Sequence, residues 1–325
     1  MNTSKPSVLA QQWAKKYIKN LSQPFDTATE VNKEFPALKK GIRASAAEKL
    51  LDSLRQVSLK AWSQTESILA DEIQRHQIDR RLVNPWEISQ DTFHIYEKAL
   101  DFYVQNVNYS RVPALIGPDI ARIRKKYTKN DPRVIAFVSM QFHYTGFLLK
   151  GQLSPLEQAL FENCFKVIDD HLYMPLHRAY EAAANLPSDA PNLIAVQHLL
   201  QYSGEIAEKI VERVLQIYPN FQTYSGKLSD SIVRISSHRD VEMFQIYLFV
   251  CVLEKSLAVV QEELFPLCVM LYPKLKVHWE LVHQMLHLLG RELESRSIDL
   301  DTSTFMPYLH ALKEMFSPEI FTNEF

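Results

Sequence analysis

The stretch Ser45–Gln77, SAAEKLLDSLRQVSLKAWSQTESILADEIQRHQ, decides the fold class. Apolar residues return along it at the three-to-four-residue spacing that lines one face of a helix. It opens on Ser45-Ala46-Ala47-Glu48, a serine answered three residues later by a glutamate, which is the pattern of a reciprocal helix N-cap. The reading is therefore one long helix near 44–77.

The same signals recur outward from it. Ser154-Pro155-Leu156-Glu157 combines a cap, a proline in the first turn and the returning glutamate, and Ser317-Pro318-Glu319 repeats the cap-and-proline arrangement. Further helices are predicted near 7–21, 26–35, 88–106, 118–127, 132–150, 155–185, 191–218, 227–236, 239–264, 267–294 and 303–315. Pro175 and Pro273 fall inside two of these segments, so the helices should kink or break there. Ile78–Trp86 and Asn106–Pro118 are read as linkers, the second because it holds Pro113, Gly117 and Pro118.

Glycine usage supports the helical reading. The 325 residues contain seven glycines, about a third of average usage. Tight hairpins, phosphate loops and dinucleotide folds consume glycine, whereas a glycine inside a helix costs about 1 kcal/mol against alanine. No G-x-G-x-x-G, P-loop or G-x-S-x-G is present. The expected fold is all-α, a large multi-helix bundle with a basic N-terminal helical lobe over 1–80 and a main bundle over 81–325. A single continuous bundle is the alternative division.

At 46% hydrophobic and 23% charged, the chain is that of an ordinary globular protein rather than a disordered one. Its strongest apolar run, Ile246–Leu253, is far short of the roughly 20 residues that span a bilayer, and Glu254 and Lys255 close it. Met1-Asn2-Thr3-Ser4-Lys5-Pro6 has no apolar signal region. Cys164, Cys251 and Cys268 form no C-x-x-C pair and read as reduced core thiols. A soluble, cytoplasmic protein is expected.

Net charge is -2, which gives no global attraction to nucleic acid. Residues 1–60 nevertheless carry eleven Lys/Arg against five Asp/Glu, a balance of about +6, and the stretch from Arg291 is acidic. Lys15, Lys16, Lys39, Lys40 and Arg43 are the expected contacts for an acidic partner surface. Arg122-Ile123-Arg124-Lys125-Lys126-Tyr127-Thr128-Lys129 is a second basic run, weighed as a phosphate-gripping stripe and read as a solvated helix end.

Three constellations invite chemistry. In His278–His287, Glu280, His283 and His287 fall within roughly 60° on a helical wheel. Glu-x-x-His pairs on facing helices hold metal in di-metal carboxylate bundles, and Asp91-Thr92-Phe93-His94 supplies a second acid-x-x-His pair. Such a centre, holding iron or manganese, requires the 280–287 stripe to point into the bundle. Lys276, Arg291 and Glu294 share that stripe, as on a water-facing side, and Asp91 also fits a helix N-cap. Asp169-Asp170-His171, ahead of Pro175 and His177, reads as a charged patch before a kink. His143, among aromatics in an apolar helix, is the candidate ligand for haem or another pigment, against a hydrogen-bonded core histidine.

No nucleophile arrangement is recognisable. The function expected is non-enzymatic: a regulatory, adaptor-like helical protein that binds a protein partner. The alternatives are the helical-bundle metalloenzyme, with Glu280, His283, His287, Asp91 and His94 as ligands, and the haem or pigment carrier through His143.

Overall fold

A computed structural model of the chain describes residues 9, 12, 36–105, 111–296 and 302–320. The fold is all-α, with one small two-stranded hairpin among the described residues. The chain divides into two compact units, Met1–His177 and Arg178–Phe325. The boundary expected near residue 80 falls inside the first of these.

In the first unit α1 (Pro36–Arg75), α2 (Pro85–Val104), α3 (Val112–Thr128), α4 (Ile135–Lys150) and α5 (Pro155–Tyr173) surround one apolar centre. The helix α4 supplies it: every residue from Ile135 to Phe142 is buried. Along α4 lies α1, antiparallel, because Lys49 bonds the Gln152 carbonyl while Ser58 meets Gln141. The face turned inward is the predicted one, with Leu50, Leu54, Val57, Ala61 and Leu69 all out of solvent.

The start of α1 differs from expectation. Ser45 is exposed in mid-helix rather than a cap, because the helix already begins at Pro36. A proline is cheap in a first turn, where its missing N–H would have had no partner. The predicted segments 7–21 and 26–35 lie almost wholly outside the described residues. Within the expected 106–118 linker, residues from Val112 onward are helical, with Pro113 in the first turn and Pro118 inside α3. By contrast Ser154 caps α5 as predicted, with both halves of the reciprocal cap in place.

The helix broken at Pro175 resumes as α6 (Leu176–Ala184), which crosses the boundary between the units. The second unit continues with α7 (Pro191–Ile217), a hairpin pairing Gln222–Thr223 with Gly226–Lys227, and α8 (Ser231–Glu254). A π-helical turn (Val260–Leu264) then leads into α9 (Phe265–Leu271), followed by α10 (Trp279–Ser295) and α11 (Met306–Met315). Here α8 is the buried centre, with no accessible residue from Val241 to Leu253. It merges the two helices predicted at 227–236 and 239–264 and stops at Lys255, which takes a left-handed conformation at φ 53°, ψ 42°. The predicted break at Pro273 separates α9 from α10. No helix among the described residues is long and apolar enough to cross a membrane.

Candidate functional site

One end of the first unit gathers a chain reversal, a bare aromatic ring and several cations. The Asp79 side chain caps the 3-10 turn Arg80–Leu82 through the Arg81 backbone and clasps the Arg81 guanidinium, which holds the Asp79 carboxyl below its usual range. Asn84 then caps α2 by accepting from Trp86 N at 3.0 Å, and Pro85 occupies the first turn. This geometry leaves Trp86 on an outward first turn, 69% exposed, where no other large aromatic side chain among the described residues is as bare.

The end of α3 comes alongside. Lys126 reaches Asp91 at 2.9 Å and Glu87 at 3.7 Å, and the Tyr127 hydroxyl donates to Asp91 at 2.8 Å. Burial and then that carboxylate push the Tyr127 phenol well above its usual range. Arg133 ties the same end to α1, pairing with Asp131 and donating to the His76 carbonyl at 2.8 Å.

The basic run over 122–129 is thereby split by the helix. Arg122 pairs with Asp119, Arg124 is buried and donates to the Leu172 carbonyl, and Lys126 meets Asp91. Arg80, Lys125 and Lys129 point into solvent and form no ion pair among the described residues. Asp91 is not a cap: α2 begins at Pro85, more than a turn earlier, and Asn84 does the capping. Of the expected partner contacts, Lys15 and Lys16 lie outside the described residues. Lys39 and Lys40 fall in the first turns of α1, and the Arg43 guanidinium lies 5.3 Å from the Tyr103 ring centre.

The metal-ligand candidates are dispersed. Asp91 and His94 belong to the first unit, Glu280, His283 and His287 to the second. On α10, Glu280 and His287 are exposed and His283 is half-buried, while Val282, Met285, Leu286, Leu289 and Leu293 face the core. The inward stripe that a buried di-metal centre requires is thus turned to water. Among the described residues no three His, Cys, Asp or Glu side chains stand close enough to share an ion. The His283 and His287 rings do meet, with centres 4.6 Å apart and planes at 85°.

His143 lies on the half-exposed side of α4, with Nδ1 3.4 Å from Asp169 Oδ1 and its ring edge-on to Tyr144. The neighbouring Asp170 and His171, read from the sequence as a charged patch before the kink, are deeply buried. Asp170 accepts two bonds from Lys166, and His171 Nδ1 donates to the Val167 carbonyl at 2.8 Å. Desolvation, more than the nearby His177, pushes the His171 imidazole down to about 4. Gly117 gives room for this cluster, since a Cβ there would sit 3.3 Å from His171 Cδ2 and 3.7 Å from His177 Nδ1. A helix that carries Asp170 and His171 on its inner side cannot be told from sequence spacing alone.

In the second unit Arg178 makes two 2.7 Å bonds to Glu254 and one of 3.0 Å to Glu263, fastening α6 to the end of α8 and to the π turn. Those partners are 76 and 85 residues away, so no local motif announces them. Val214, Val241, Tyr272, Val282 and Met285 line an apolar cavity of about 60 Å³, far below the volume of ordinary ligand sites. All three cysteines are buried and unbridged, and desolvation raises each thiol, Cys164 and Cys251 to about 12. Burial therefore keeps each thiol protonated at neutral pH. No protein family, curated protein or solved structure matches the chain.

Proposed function

We propose that the protein is a non-enzymatic, adaptor-like interaction protein, and that it docks an acidic protein partner on the Arg80–Trp86 end of its first unit. The exposure of Trp86 carries this reading. A tryptophan left in water forgoes several kcal/mol of burial that a partner can supply, and Trp and Arg dominate interface hot spots. Arg80, Lys125 and Lys129, exposed at the same end, fit a partner that brings carboxylates.

A protein suits this surface better than nucleic acid. Asp79, Glu87 and Asp91 are interleaved with the cations and would repel a continuous run of phosphates. Discrete acidic side chains can be placed between them. The three unbridged cysteines fit a reducing compartment, and we assign the protein to the cytoplasm as part of the same reading.

Site-specific photo-crosslinking tests it. An aromatic photo-crosslinker at position 86 should capture one acidic protein that the same group at exposed Leu156 does not. Reversing Arg80 and Lys125 to glutamate should abolish that capture. Identical captures at both positions, or indifference to the charge reversal, would refute the assignment.

A further inference from the structure

The geometry of α10 points to a second, independent site: we infer that His283 and His287 form a two-imidazole chelate for a divalent transition ion, with Cu²⁺ the best-fitting class. The two residues are one helical turn apart on the outer side of α10, and their ring centres are 4.6 Å apart with the planes at 85°. An imidazole-bound ion lies roughly 3.1 Å from the ring centre, from a metal–nitrogen bond of about 2.0 Å plus the ring radius. Two imidazoles on one ion then have ring centres about 4.4 Å apart at a right-angled nitrogen–metal–nitrogen angle and about 5.1 Å apart at a tetrahedral one. At 4.6 Å the two rings are close enough to share one ion, and Cu²⁺ stands highest among the divalent first-row ions in affinity for nitrogen donors.

The surroundings define what kind of site this is. Among the described residues no third protein ligand joins the pair, so water fills the remaining positions and the ion exchanges with solvent. Glu280 stands one turn before His283 on the same outer stripe. Opposing the ion are Arg291 on α10 and Lys313 on α11, both of which disfavour positive charge at His287. Lys313 Nζ crosses α10 beside Gly290, where an added Cβ would approach it to 2.8 Å.

The test is a titration of the full-length, metal-stripped chain with CuCl₂, and separately with ZnCl₂, followed by calorimetry and electron paramagnetic resonance. One equivalent of Cu²⁺ should bind with a tetragonal signal showing two nitrogen donors, and Zn²⁺ should bind more weakly. His283→Ala or His287→Ala should each weaken Cu²⁺ by about tenfold or more, since the second ring acts at a high effective concentration. Lys313→Gln should tighten it. Circular dichroism of each variant separates loss of the chelate from loss of the fold, because neither side chain belongs to the buried core. The inference is overturned if the His283→Ala/His287→Ala protein, still folded, binds Cu²⁺ as tightly as the parent chain, or if the nitrogen signal persists in it.

Discussion

Gln141 on α4 donates from one amide nitrogen to both the carbonyl and the hydroxyl of Ser58 on α1, at 3.0 and 2.9 Å, with both side chains buried. This is a buried polar fastening between the two helices, and it fixes how far α1 slides along α4. A one-turn slip would leave a buried amide facing a methyl group, at the cost of a full desolvation penalty.

Replacing Gln141 by leucine should therefore lower stability by about 1–3 kcal/mol, because the Ser58 groups stay buried after their donor is gone. Ser58→Ala should cost less, since the backbone carbonyl still accepts. Urea denaturation reads both, with the midpoint moving and the slope unchanged.

His171 makes stability pH-dependent. Its folded value, about 4, lies below the ordinary 6.5, so the unfolded chain binds the extra proton between these limits. The stabilisation is fully present above pH 6.5 and is lost as pH falls toward 4, by about 3 kcal/mol in total. Comparing His171→Phe with the parent over that window isolates the effect from the carboxylates. Parallel pH profiles would show that the imidazole is already charged in the fold.

Arg178→Met should destabilise the second unit by about 1–3 kcal/mol, leaving Glu254 and Glu263 beside each other without their cation. Arg178→Lys should recover little of this, because an ammonium cannot make the forked contact to Glu254. Thermal unfolding of the two variants against the parent checks the order.

Much of this was written in the sequence, and the reasons it was or was not are specific. Ser154 and Pro155 act through neighbours three residues away, so the start of α5 is legible. Pro175 and Pro273 lack an N–H whatever surrounds them, and both helices break there. Lys255 has no such mark: it ends α8 in a left-handed conformation that any local rule would reserve for glycine. The burial of His171 and Asp170, and the reach of Arg178 to Glu254, depend on contacts distant in the chain. Trp86 was visible only as part of a linker, although an Asn-Pro-Trp start places the third residue on an outward first turn.

Lys255 itself gives a further test. Lys255→Gly should stabilise the protein by about 1 kcal/mol, because glycine takes φ 53° without the clash of a Cβ. A decrease in melting temperature would mean that the lysine side chain compensates for its own backbone.

Each unit is organised round one helix with a stretch that water does not reach, α4 over Ile135–Phe142 and α8 over Val241–Leu253. Backbone amides so placed exchange with deuterium only when everything wrapped around them comes apart. The slowest protons of each unit therefore report its whole opening free energy, and surface helices such as α11 exchange sooner by fraying. Two separate populations of late-exchanging amides follow, one for each rod. A substitution such as Gln141→Leu should hasten the first population and leave the second as the internal standard.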